Sequence, residues 1–76
     1  MNKDIKNIEN IEHLCTLYDK FQSFLTQTQN QAFQLYFFEN LSYSEIAEIT
    51  ATTRSAAYDS VNKAIKKLLN LENKIS

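Results

Sequence analysis

The chain has 76 residues and a mass of 8.9 kDa, which is enough for one small domain. Hydrophobic residues make up 43% of it and charged residues 22%, a composition typical of folded chains and not of disordered ones. Gly and Pro are both absent, which excludes glycine-rich phosphate loops, dinucleotide-binding fingerprints and folds built from tight hairpins. We therefore expect an all-α fold, a small bundle of four or five helices in a single domain over residues 1–76.

The charges are unevenly distributed along the chain, although the net charge is only −1. Residues 1–49 carry three basic and seven acidic side chains, whereas residues 50–76 carry five basic and two acidic ones. This asymmetry indicates that the C-terminal half of the chain interacts with a negatively charged partner. The sequence pI of about 5.7 is lower than that of a strong nucleic-acid binder, so any such binding is expected to be weak.

The N-terminal residues give little sign of a core or of a membrane segment. Residues 1–10 hold no continuous apolar run, and their Asn-rich context predicts a frayed segment. No apolar run in the chain approaches the roughly 20 residues that a membrane-spanning helix needs. Cys15 is the single cysteine and cannot form an internal disulfide, so we expect a cytoplasmic protein.

The first half of the chain predicts two helices. Apolar residues recur at steps of three and four, which predicts one buried helical face. They are Ile11, Leu14, Tyr18, Phe21 and Leu25. Thr26 and Gln29 form a capping-box pattern that begins a second helix, which we expect to run to about Phe38. Asn40 is suited to the left-handed position that glycine usually takes after a helix.

Residues 42–67 have the layout of a helix-turn-helix. Ser42 and Glu45 form a second capping box before a short helix, and Ala47 is small enough for two helices to cross closely. Thr53 is the predicted N-cap of a last helix that runs from Arg54 to roughly residue 71.

The last helix has two chemically different faces. At 100° per residue, one side is apolar and the opposite side is polar. The apolar side holds Ala57, Val61, Ala64 and Leu68; the polar side holds Ser55, Asp59, Asn62, Lys63 and Lys66, flanked by Arg54 and Tyr58. Asn62 can pair with adenine and Arg54 with guanine in a major groove, so this face is a candidate base-reading surface.

Other residues of this segment are suited to the DNA backbone. Lys63, Lys66 and Lys67 can neutralise phosphates, and the helix starts at Ser42 and Thr53 offer hydroxyl and N–H groups to them. Asp59, in the middle of the face, would repel phosphates unless it accepts a hydrogen bond from cytosine. We therefore predict weak, salt-dependent binding of double-stranded DNA. The alternative is that these polar residues only solvate a surface helix.

An ordered set of short matches runs through three of the predicted helices. It comprises Leu25-Thr26 with Gln29, Leu35-Tyr36-Phe37, Leu41-Ser42 with Glu45-Ile46-Ala47-Glu48, and Arg54 with Ala56 and Tyr58-Asp59. In these residues the chain resembles the YlxM family, small regulators whose helix-turn-helix is similar to region four of bacterial sigma factors. Genes of that family typically lie beside those of the signal recognition particle GTPases.

The resemblance implies a last helix that contacts DNA. The residues it assigns to that contact are Arg54, Ser55, Tyr58, Asp59, Asn62 and Lys63. Two positions depart from the family pattern. Ala51 stands where the family commonly has Gly in the turn, and Thr52 stands where it usually has an aliphatic residue. We therefore expect a strained or reshaped turn and a weaker wedge between the two helices.

No catalytic, metal or cofactor site is expected. His13 and Cys15 lie two residues apart on a helix and do not share a face, and one His supplies neither a metal site nor a catalytic set. Cys15 is interpreted as a partly buried core residue and His13 as an exposed one. The aromatic residues Phe33, Tyr36, Phe37 and Phe38 are interpreted as core because no basic residue interleaves with them. Neither enzymatic activity nor a small-molecule ligand is predicted.

The apolar seams of the first and last helices are expected to pack on each other. Leu71 and Ile75 would then extend beyond the first helix and favour a homodimer through the last helix. The sequence thus predicts a DNA-binding transcriptional regulator with a helix-turn-helix, linked through its family to the signal recognition particle pathway. The alternative is a protein-interaction module that keeps this fold without strong DNA binding.

Overall fold

The computed structural model of the chain describes the backbone of residues 8–75 and the side chains of residues 11–74. The helices are α1 (Ile8–Phe21), α2 (Gln27–Phe33), α3 (Tyr43–Thr50) and α4 (Arg54–Ile75). A short 3₁₀ turn follows α1, and a π-helical turn at Gln34–Phe38 continues α2. The described part contains no strand, which confirms the predicted all-α class. None of its helices is long and apolar enough to span a membrane.

The expected frayed segment over residues 1–10 mostly lies outside the described residues. Within the described part, residues 8–10 already belong to α1. At the other end, α4 continues to Ile75, one turn beyond the predicted end near residue 71.

The starts of α2, α3 and α4 are fixed by the capping residues that the sequence predicts. The Thr26 hydroxyl accepts a hydrogen bond from the Gln29 N–H, and the Gln29 side chain accepts one from the Thr26 N–H, both at 3.1 Å. Ser42 and Glu45 form the same reciprocal pair at 3.2 and 2.8 Å. The Thr53 hydroxyl accepts from the N–H three residues on at 3.0 Å and begins α4. These bonds satisfy N–H groups that the first helical turn leaves without partners.

Two residues adopt the left-handed conformation that glycine usually supplies. Asn40 has φ 58°, as predicted from its position after α2, and Ala51 has φ 56° at the end of α3. The chain therefore forms a left-handed turn without glycine, in which the Cβ of Ala51 lies unfavourably close to the backbone. The N–H of Thr52 donates to the Ala47 carbonyl at 2.9 Å and closes the C-terminus of α3.

We expect Ala51→Gly to stabilise the domain by about 0.5–1 kcal/mol, because removing the Cβ relieves a cost of about 1–2 kcal/mol that is partly offset by the entropy of glycine in the unfolded chain. The melting temperature should rise by about 4 °C. Circular dichroism during heating measures both. Ala56→Gly is the control, since it places glycine at an exposed helical position and should lower stability. A loss of stability in both variants would contradict the assignment of strain to Ala51.

The larger of two apolar clusters joins α1 to the second half of α4. Its buried members are Leu14, Leu17, Tyr18, Phe21, Leu25, Phe33, Ala64 and Leu68. The predicted packing of the two seams on each other is therefore confirmed. The buried face of α1 is wider than predicted, because Leu17 belongs to it as well.

The smaller cluster holds the helix-turn-helix together. Its buried members are Ala32, Ile46, Ala47, Ala57 and Val61, which come from α2, α3 and α4. Ala47 of α3 is buried in this cluster together with Ala57 and Val61 of α4, as its small size predicts. Phe37 and Ile65 pack against both clusters and so connect the helix-turn-helix to the rest of the core.

Two apolar residues are placed differently from the prediction. Phe38 is 51% exposed. A π-helical turn contains about one residue more than an α-helical turn, and this extra residue rotates Phe38 away from the core. Its ring still meets the edge of Tyr18 at 5.5 Å. Leu71 packs against the larger cluster and is not part of an apolar overhang. The side chain of Ile75 lies outside the described residues.

Candidate nucleic-acid interface

The helix-turn-helix presents one face of α4 to the surface. Ala57, Val61, Ala64 and Leu68 are buried, as predicted, so the opposite face of the helix points away from the core. Of the predicted site residues, all are exposed except Asn62, which is half-buried. These residues are Ser42, Thr53, Arg54, Ser55, Tyr58, Asp59, Asn62, Lys63, Lys66 and Lys67. Their contact with DNA stays a prediction.

An ion pair lies at the centre of this face. Lys63 Nζ is 3.2 Å from a carboxylate oxygen of Asp59, one turn earlier, and both side chains are largely exposed. The pair contributes little to stability because water screens it. It does reduce the positive field of the face, since one of its cations is matched by an anion.

Asn62 is engaged within its own helix. Its side-chain amide donates to the Tyr58 carbonyl at 2.8 Å. To pair with adenine, the amide would have to leave this carbonyl, and that costs a hydrogen bond worth about 1 kcal/mol. We therefore expect Asn62 to contribute less to base recognition than Arg54.

The two predicted phosphate contacts at helix starts differ in their surroundings. At Thr53 the cap uses the hydroxyl oxygen as an acceptor, so its O–H can still donate to a phosphate. At Ser42 the backbone N–H already donates to the Glu45 carboxylate. That carboxylate occupies the position of an incoming anion and carries the same charge. The start of α4 is therefore the better phosphate contact.

Tyr43 lines the interface although the sequence reasoning did not select it. It borders a cleft of about 260 Å³ between the starts of α3 and α4, together with Arg54, Ser55 and Tyr58. Tyr43 and Tyr58 meet in a T-shaped contact, with ring centroids 5.2 Å apart. No local sequence signal relates two residues so far apart on different helices, because their contact depends on the angle at which α3 crosses α4.

A stack of tyrosines fixes the inner wall of this cleft. The rings of Tyr36 and Tyr43 are parallel to within 4° and 4.9 Å apart. Burial, followed by a hydrogen bond with Tyr36, raises the pKa of Tyr43 well above its usual range.

A small cavity borders the turn between α3 and α4. The Thr50 and Thr52 hydroxyls lie 2.9 Å apart, and a cavity of about 110 Å³ borders them beside Ile46 and Ala57. The expected weaker wedge at Thr52 stays a prediction.

His13 and Cys15 are placed as predicted. His13 is exposed and lies 3.1 Å from a Glu72 carboxylate oxygen, which joins α1 to α4 at the surface. Cys15 is half-buried, and this burial raises the pKa of its thiol, which makes it less reactive. Among residues 11–74, no three His, Cys, Asp or Glu side chains are grouped as a metal ion would require.

Comparison with known proteins identifies relatives over most of the chain. A UPF0122 protein of Ureaplasma urealyticum is 43% identical over 60 residues, which are 79% of this chain and 61% of the relative. A probable UPF0122 protein of Mycoplasma mycoides is 40% identical over 68 residues, 90% of this chain and 60% of the relative. A UPF0122 protein of Clostridium acetobutylicum is 41% identical over 63 residues, 83% of this chain and 54% of the relative. The chain thus spans little more than half the length of these relatives.

The family assignment rests on the same region as the fold. No solved structure matches the chain. The family model described as "Putative helix-turn-helix protein, YlxM / p13 like" matches residues 8–76, which include the whole of the helix-turn-helix. This confirms the resemblance seen in the sequence, and the chain belongs to the UPF0122 family of YlxM/p13-like helix-turn-helix proteins.

Proposed function

We propose that the chain is a DNA-binding regulatory protein that inserts α4 into the major groove of duplex DNA. The observation that carries the proposal is the outward face of α4, which combines exposed polar and cationic side chains opposite a fully buried face. The major groove, about 12 Å wide, admits one α-helix, and α4 carries exposed polar and cationic side chains along one side. Membership of a helix-turn-helix family supports the same use.

In this proposal, the residues of α4 divide between bases and backbone. Arg54 is the principal base-reading residue, with Ser55 and Asn62 as further donors or acceptors. Lys66, Lys67 and the Thr53 hydroxyl bind phosphates, which position the helix but carry no sequence information. With few free cations and the Asp59–Lys63 pair on the face, the affinity is weak and depends strongly on salt.

A mobility-shift titration with genomic DNA fragments tests the proposal. We expect Arg54→Ala combined with Asn62→Ala to weaken retardation by about tenfold or more, because each good base contact is worth about 1–3 kcal/mol. Arg54→Ala alone should account for most of the loss. Gln27→Ala, an exposed polar change at the start of α2, is the control and should bind as the wild type does. Equal retardation of the wild type and the double variant would favour the alternative function.

That alternative is a protein-interaction module, and exposed apolar side chains favour it. Ile49 on α3 is 56% exposed, and Leu69 on α4 is also exposed. The net acidity of the chain supports a protein partner as well. A partner in the signal recognition particle pathway rests on the family resemblance. The homodimer through α4 stays a prediction; Leu71, which packs against the larger cluster, is not available to it, whereas Leu69 on the same helix is exposed.

A further inference from the structure

The insertion of α4 into a major groove does not by itself account for the set of side chains that line the cleft between the starts of α3 and α4. Its lining combines two aromatic rings, a guanidinium and a hydroxyl, from Tyr43, Tyr58, Arg54 and Ser55. Its volume of about 260 Å³ is below the roughly 300–1,000 Å³ of pockets that take whole small molecules. The cleft is therefore too small for a whole drug-sized molecule, and its lining offers aromatic rings to a planar group and a guanidinium to an anion.

The inner wall of the cleft is held in place before anything binds. Tyr43 is half-buried and stacks on Tyr36, whose ring in turn meets the Phe37 ring at 90° and 5.0 Å. Phe37 packs against both core clusters. The position of Tyr43 is thus fixed through a row of rings that reaches the core, and a ligand would not have to order it.

The outer wall is open. Tyr58 is 54% exposed although it is a large aromatic residue. In a T-shaped pair each ring covers at most one face of the other, so the contact with Tyr43 leaves at least one face of Tyr58 uncovered. An exposed aromatic face beside a cation is the arrangement on which proteins stack the bases of single strands.

Arg54 supplies the charge. It lies one turn before Tyr58 on α4, and so shares its side of the helix. Within residues 11–74, the contacts between basic and acidic side chains join His13 to Glu72 and Lys63 to Asp59, and neither includes Arg54. Its guanidinium is therefore able to bind a phosphate without first breaking an ion pair.

We propose that this cleft holds one unpaired nucleobase of a DNA strand, with the base stacked on Tyr58 and the adjoining phosphate bound by the Ser55 hydroxyl and by Arg54, which in this complex contacts the backbone in place of a base edge. The proposal rests on the proposed function, which brings α4 to DNA. A base inside an intact duplex cannot enter, because its faces are covered by its neighbours. DNA that already contains an unpaired base avoids the cost of extruding one, so the protein should prefer it to a perfect duplex.

Fluorescence anisotropy with two labelled duplexes tests this preference. The duplexes are identical except that one carries a central pair of unpaired thymines. We expect the wild type to bind the interrupted duplex about tenfold more tightly, in line with the stacking of one base. Tyr58→Leu keeps an apolar side chain but removes the ring, and should abolish the preference, so that the variant binds the two duplexes with equal affinity. Tyr58→Phe keeps the ring and should retain the preference.

A second measurement does not depend on the duplex. The chain has four Tyr and no Trp, so its intrinsic fluorescence reports on tyrosines, three of which form the Tyr36–Tyr43–Tyr58 group. Titration with a ten-residue oligothymidylate should quench this emission, and Arg54→Gln should weaken the effect. Equal binding of the two duplexes by the wild type, or a preference that survives Tyr58→Leu, would overturn the proposal but leave duplex binding standing. If neither duplex nor oligonucleotide binds, both the cleft and the proposed function are wrong.

Discussion

Replacing Asp59 with Asn is expected to tighten the binding of duplex DNA by about tenfold at low salt, a gain of about 1.4 kcal/mol. The carboxylate lies on the outward face of α4, where it would approach phosphates of the same charge, and it pairs with Lys63 at 3.2 Å. Asn has the same shape without the charge. The change therefore removes a repulsion and frees one cation. The slope of log affinity against log salt should become steeper by the amount expected for about one additional phosphate contact.

Anisotropy titrations over a range of salt concentrations measure both effects. Asp19→Asn is the matched control, because it changes the net charge equally but lies on the exposed side of α1. It should tighten binding far less. The fold should be unaffected in either case, since an exposed ion pair is worth about 0.2–1 kcal/mol. Equal gains from both variants would mean that only net charge matters. Weaker binding by Asp59→Asn would instead indicate that Asp59 accepts a hydrogen bond from a base.

The largest effect on stability is expected at Phe33. We expect Phe33→Ala to lower the free energy of unfolding by about 3–5 kcal/mol, which is most of the stability that a domain of this size has. Phe33 is fully buried, stacks on Tyr18 at 4.6 Å with the rings parallel to within 2°, and contacts Phe37 at the same distance. Its loss would leave a cavity where α1, α2 and α4 meet.

Urea denaturation followed by circular dichroism measures this loss. The variant should be largely unfolded without urea at 25 °C. Phe24→Ala removes the same ring from an exposed position and should change stability by about 0.5 kcal/mol or less. Similar losses in the two variants would contradict the placement of Phe33 at the centre of the core.

The features predicted correctly from the sequence are those that depend on neighbouring residues. The reciprocal caps at Thr26 and Ser42 follow from residues three positions apart, and the left-handed Asn40 follows from its place after a helix. The two faces of α4 follow from helical periodicity alone. These elements were accessible because each rests on local geometry that the residue types specify.

The features that were missed depend on packing between elements. The π-helical turn that exposes Phe38 has no signal in the apolar spacing, which is compatible with an ordinary helix to the same point. The apolar spacing predicts Leu71 as an overhang because it does not show how far α1 extends along α4. The cleft of Tyr43 and Tyr58 depends on the crossing of α3 and α4, so the sequence supplied its residues but not their contact.

Ala51 shows how a departure from the family pattern can be read in physical terms. The sequence indicated a strained or reshaped turn, and the structure has the strained form, with φ 56°. The hydrogen bond from the Thr52 N–H to the Ala47 carbonyl is present, so the C-terminus of α3 is closed without glycine. The departure therefore lowers stability without removing the helix-turn-helix.

The salt dependence of duplex binding tests the central claim, that the cationic face of α4 meets DNA, most directly. One double variant combines Lys66→Gln with Lys67→Gln. The matched control combines Lys20→Gln with Lys74→Gln, which removes one exposed cation from α1 and one from the far end of α4. We predict that the first pair lowers the slope of log affinity against log salt by about two phosphate equivalents, and that the second leaves it nearly unchanged. Equal slopes for both pairs and the wild type, or no dependence on salt at all, would contradict the claim.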